Sequence, residues 1–128
     1  MQFHHTRVTD YSFDEAITAV TEALKKEGFG VLTNIDMTAK LKEKIGVTIP
    51  RYAILGACNP SLAHKALTIE NRIGVMLPCN VIVRETPEGK VEVSSIDPMA
   101  SMAAAGIPSL VPVAEEVSGK LKTVIESL

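Results

Sequence analysis

The sequence predicts a single α+β domain over residues 1–128, built as a mixed, mostly antiparallel sheet of about five strands packed with four to five helices. Three observations lead there. Segments with two-residue and helical apolar spacing alternate through the first half of the chain. The second half then carries a hairpin, Val75 to Glu85 and Val91 to Ile96, turned at Thr86-Pro87-Glu88-Gly89. No repeat, low-complexity tract or linker divides the 128 residues, and 46 % hydrophobic with 22 % charged content suits one ordinary core. Pure strand–helix alternation would argue for a parallel sheet, whereas the hairpin argues for a mixed one.

Phe3 to Val8 is a short strand, with β-branched Thr6 and Val8. A helix follows, with Ser12 as its N-cap and Glu15 three residues on, the pattern of a capping box. Phe13, Ala16, Ile17, Val20 and Leu24 mark its buried face, and Gly28 ends it. Gly30 to Ile35 reads as a strand, and Asp36 caps a short helix from Met37 to Ile45 that closes at Gly46. Tyr52 to Ala57 is small and apolar enough to lie inside a sheet.

Asn59-Pro60 pairs a cap with a proline at the first helical position, where the missing N–H costs nothing, and starts a helix to about Glu70. Val75 to Glu85 reads as a strand interrupted at Pro78, which cannot donate to a ladder. Asp97-Pro98 repeats the cap-plus-proline signal and opens a small helix to Ala105, closed by Gly106. Ser109 is expected to cap the last helix, whose buried stripe is Val113, Val117, Leu121, Val124 and Leu128, with Pro112 in its first turn.

Composition excludes several function classes. Net charge is −2 with a pI near 5.9, so no domain-wide basic surface calls for nucleic acid. Lys40, Lys42 and Lys44 read as one solvated helix face. Two Tyr, three Phe and no Trp disfavour a base- or sugar-stacking platform. No apolar run reaches membrane-span length, and MQFHHTRVTD lacks the apolar core of a signal peptide. The expectation is a cytoplasmic chain starting at Met1, with no membrane and no nucleic-acid partner, whose two cysteines are reduced thiols. Gly-rich phosphate loops, C-x-x-C, H-E-x-x-H and G-x-S-x-G motifs are all missing, which removes support from standard nucleotide, hydrolase and zinc-protease readings.

What remains is the stretch from Arg51 to Val83, with Cys58-Asn59 and Cys79-Asn80. Cys58 precedes a helix N-terminus, where free amides and the helix dipole favour a thiolate. It is the best catalytic candidate, as a nucleophile, a redox thiol or a soft metal ligand, set against a small packed residue. Cys79 alternates with Leu77, Val81 and Val83 and is core-facing by default. His64 points away from the buried arc of Leu62, Ala63, Ala66 and Leu67, so it is an exposed and weak candidate for ligand or base. Cys-x5-His with one distant Cys matches no standard zinc spacing. Asn59 and Asp97 each have a sufficient job as caps. Asn80 is expected as an amide in an apolar strand in need of partners. Met99 and Met102, with Ala103 to Ala105, suit a core or a subunit interface.

The segments GFGVLTNIDM (28–37), LKEKIGV (41–47), YAILGACNPSLAHKAL (52–67), IGVMLPCNVIV (73–83), SSIDPMASM (94–102) and PVAEEV (112–117) resemble the bacterial and archaeal family known as domain of unknown function 302. The resemblance covers nearly the whole chain, with GACNP and LPCN as its most specific motifs. It implies a compact α+β domain that often forms a homodimer, and it implies no particular activity. Cys58, Asn59, Pro60, His64, Pro78, Cys79, Asn80, Asp97 and Pro98 fall on the family's motif positions.

The sequence thus supports a homodimeric module that binds a small molecule, an anion or a soft metal at the two Cys-Asn corners, through Cys58, Asn59, His64, Cys79, Asn80 and Asp97. Two alternatives stand beside it. One is a thiol redox or sulfur-transfer protein using Cys58 with Cys79. The other is a structural dimer whose cysteines are packing residues. No cofactor is specified.

Overall fold

The computed structural model describes residues 2–128. Five strands, β1 (His4–Thr9), β2 (Gly30–Asp36), β3 (Tyr52–Cys58), β4 (Cys79–Glu85) and β5 (Val91–Ile96), form one sheet in the order β1-β5-β4-β3-β2. Every pairing among the described residues is antiparallel, so the mostly antiparallel sheet expected carries no parallel pair. Helices α1 (Phe13–Lys26), α2 (Met37–Ile45), α3 (Pro60–Ile69), α4 (Pro98–Ala103) and α5 (Val111–Glu126) complete the α+β domain.

Local capping chemistry sets most of these boundaries. The Ser12 hydroxyl accepts from the Glu15 N–H, and the Glu15 carboxylate accepts from the Ser12 N–H at 2.9 Å, closing the capping box. Those bonds hold the Glu15 carboxyl below its ordinary value, the backbone bond from Ser12 contributing most. Asp36, Asn59 and Asp97 cap α2, α3 and α4 as their sequence positions require. Gly28 and Gly46, at φ 84° and 71°, end α1 and α2 in the left-handed conformation that glycine adopts without a Cβ penalty.

Two elements differ from expectation. Residues 75–77 are not strand: Asn71–Met76 is a 3-10 helix, entered through the Glu70 carboxylate and closed by Leu77 N–H to the Gly74 carbonyl. Pro78 has no N–H for a ladder, so β4 begins only at Cys79, and Val75 stays 89 % exposed. Ser109 also does not cap the last helix. It lies inside a 3-10 turn, Pro108–Leu110, and α5 starts at Val111 with no side-chain cap. Pro112, in the first turn of α5, has no N–H and so removes one donor that a cap would have served.

The sheet has two unlike faces. Ala53, Leu55, Ala57, Cys79, Val81, Val83, Val91 and Val93 point to one side and are buried with Val20 and Leu24 of α1 and Val117, Leu121 and Val124 of α5. The alternation of the pleat sends Tyr52, Ile54, Asn80, Ile82, Arg84 and Glu92 to the other side. There α1 and α5 do not pack, and the side chains are exposed or half-buried.

Candidate functional site

β3 ends and β4 begins at the same end of the sheet, with Ala57 directly opposite Cys79. That register brings Cys58, at the last position of β3, beside Cys79, at the first of β4. Both are free thiols. They line one cavity of about 30 Å³, space for about one water-sized atom. Leu62 and Ala66 of α3, Leu77, Met102 of α4 and Val117 of α5 make its walls, which are almost wholly apolar.

The two thiols differ in character. Cys58 is half-buried at the rim, while Cys79 is buried in the core row of β4. Burial, and then the charge of Cys58, push the Cys79 thiol from 9.0 up to about 11. At neutral pH Cys79 is therefore a protonated, poorly nucleophilic thiol, and Cys58 is the one reagents can reach.

Pro78 fixes this corner from the other side. Its peptide bond with Leu77 is cis, and its ring lies over Gly56 of β3. A Cβ at Gly56 would stand 2.8 Å from Pro78 Cγ and overlap the Thr33 hydroxyl. Gly56 is thus the seat that lets Pro78 close down just before Cys79.

The other candidates are distributed around and away from this point. Asn59 lies at the cavity rim, but its amide is committed: Oδ1 accepts from Leu62 N–H at 3.3 Å and Nδ2 donates to the Glu27 carbonyl at 3.2 Å. The α3 N-terminus has few free donors, since Pro60 has no N–H and Ala63 N–H bonds the Asn59 carbonyl. His64 is exposed on α3 and outside the cavity lining. Asn80 is exposed on the opposite face of the sheet from Cys79, so it is not the buried amide expected. Asp97 accepts from Met99 N–H and from the Ser118 hydroxyl at 2.8 Å, with His5 Nε2 3.9 Å away. Its carboxylate, occupied in this way, offers nothing to an anion. The structure therefore joins Cys58, Asn59 and Cys79, and leaves His64, Asn80 and Asp97 apart from them.

Two residues gain a place that sequence reasoning did not give them. Met102, read as core, adds a thioether residue to the thiol-lined cavity. His5 meets Asp97 through the β1–β5 pairing, which nothing local announces. Among the described residues no group of three or more His, Cys, Asp or Glu side chains is arranged to hold a metal. No helix among them is long and apolar enough to cross a membrane.

Fold and site together define a small antiparallel α+β domain with a thiol pair under one end of its sheet. The chain belongs to the family described as domain of unknown function DUF302, whose model matches residues 4–128. It is similar to the crystal structure of an uncharacterized conserved protein DUF302 from Bacillus stearothermophilus, with 29 % identity, a TM-score of 0.92, and 98 % of each chain covered. No curated protein matches it.

Proposed function

We propose that the chain is a binding module that seats a small, soft ligand between Cys58 and Cys79. One observation carries this reading: two thiols share a partly open cavity whose lining holds no carboxylate, imidazole or amine. Without a general base, the arrangement favours holding a ligand over turning one over. Free thiols suit a reducing compartment, which supports a cytoplasmic setting.

Methyl methanethiosulfonate tests the pocket, because it transfers one CH3S group to a thiolate and releases methanesulfinate. It is expected to label Cys58 in the folded chain. The added group fills the void and raises stability by about 1 kcal/mol, whereas a bulky maleimide on Cys58 lowers it. Thermal melts of the two adducts read this directly. A methylthio adduct that destabilises as the maleimide does would remove the pocket as a ligand seat.

A second reading is a thiol redox pair, with Cys58 attacking and Cys79 resolving. The β3–β4 register, which brings both cysteines to one cavity, favours it over a purely structural role.

The bare sheet face supports the homodimer. Its footprint is roughly 24 by 20 Å, about 500 Å² before side-chain relief, against about 800 Å² per partner in a standard interface. Exposed Val8, Leu32 and Ile35 extend the apolar surface. Arg84 and Glu92 pair at 3.0 Å within the face, so a two-fold contact meets no unpaired like charges there. Ile82→Asp in the middle of this face is expected to convert a sedimenting dimer to monomer with the melting curve of the monomer intact. An unchanged sedimentation coefficient would argue against this interface.

A further inference from the structure

Three sulfur-bearing residues, and not two, line the cavity: Cys58, Cys79 and Met102. We propose that this pocket is a site for one soft monovalent d10 cation, of which copper(I) is the representative. The inference rests on the pocket reading and narrows its ligand. Thiolate and thioether donors suit copper(I); thiolates serve zinc too, but the lining has no imidazole or carboxylate to complete a four-ligand zinc set.

The three donors arrive from three parts of the fold. Cys58 closes β3, Cys79 opens β4, and Met102 sits on α4, capped and aligned through Asp97. A copper(I) ion accepts two or three sulfur ligands, where structural zinc asks for four. The cavity of about 30 Å³ admits one such ion and little water beside it. Apolar walls from Leu62, Ala66 and Val117 keep the ion dry, which disfavours access by hydrated divalent ions. Binding involves no change of oxidation state. Each thiol that coordinates forms a metal–sulfur bond and gives its proton to solvent.

The test is an anaerobic titration of the full chain at fixed pH with the copper(I)–acetonitrile complex, in competition with bicinchoninate, repeated with zinc(II). The expected result is one copper(I) per chain and no retained zinc. Met102→Leu keeps the core volume and is expected to weaken copper(I) by about tenfold. Cys79→Ser is expected to weaken it by about a hundredfold or more. Failure of the wild type to retain copper(I), or equal retention by both variants, would overturn the site. Labelling the same sample with methyl methanethiosulfonate separates the two readings. A chain that takes the methylthio group on Cys58 yet binds no copper(I) loses only the metal, and one that takes neither loses the pocket as well.

Discussion

Gly56→Ala is expected to lower the stability of the domain by about 2 kcal/mol, a fall of roughly 5–10 °C in melting temperature for a chain of this size. The new methyl meets the Pro78 ring at 2.8 Å and the Thr33 hydroxyl. Thr33 is exposed and can rotate away. Pro78 is held by the chain on both sides, so relief must come from the backbone at the start of β4. The entropy gained by removing a glycine from a strand returns less than 1 kcal/mol and does not offset the overlap. Gly119→Ala on α5 is the matched control. Nothing lies within 4 Å of its Cβ, and its φ is not positive, so the same change there is expected to stabilise by about 0.5–1 kcal/mol. Equal effects at the two sites would show that Pro78 does not depend on Gly56. Because Pro78 precedes Cys79, Gly56→Ala should also make Cys79 easier to label.

The second large effect is with pH. Cys79 is raised from 9.0 to about 11, so the folded chain holds this proton more tightly than the unfolded chain does. Its contribution is fully present below pH 9 and is lost as pH rises from 9 to about 11. Two pKa steps amount to about 2–3 kcal/mol. Chemical denaturation at pH 8 and again near pH 10.5 should show this loss for the wild type. Cys79→Ala, although less stable at pH 8, should show a clearly shallower decline over the same interval. Parallel pH profiles for the two chains would place the alkaline loss elsewhere.

How much of this was legible in the sequence follows from the range of each interaction. Ser12 with Glu15, Asn59 with Pro60, and Asp97 with Pro98 are decided within three or four residues, and each opens a helix where the spacing says it should. The apolar stripe of α5 is likewise local, with Val113, Val117, Leu121 and Val124 all buried. Residues 75–77 mislead because Val-Met-Leu has strand composition. The competing signals, Gly74 before it and Pro78 after it, act on the backbone and close a 3-10 turn. Ser109 misleads for a related reason, since Pro112 removes one of the two donors it would cap and Pro108 starts a 3-10 turn that takes Ser109 in.

The site was half legible. Cys79 belongs to the core row with Val81 and Val83, and period two then sends Asn80 to the other face. A single pocket holding all four Cys and Asn side chains conflicts with that alternation. Gly56 inside the apolar run YAILGAC is the kind of residue that marks a close backbone approach. The meeting of Cys58 with Cys79 depends on the β3–β4 register, and that of Met102 with both on how α4 packs beside α5. Neither is encoded within a window of neighbouring residues.

The central claim is that one reachable and one sealed thiol share the same cavity. Site-resolved mass spectrometry of the folded, reduced chain after brief exposure to methyl methanethiosulfonate at neutral pH tests it most directly. The expected result is a single methylthio group on Cys58, with Cys79 unmodified until the chain is unfolded or the pH approaches 11. Comparable labelling of Cys79 under native conditions, or a Cys58 as inert as Cys79, would contradict the account.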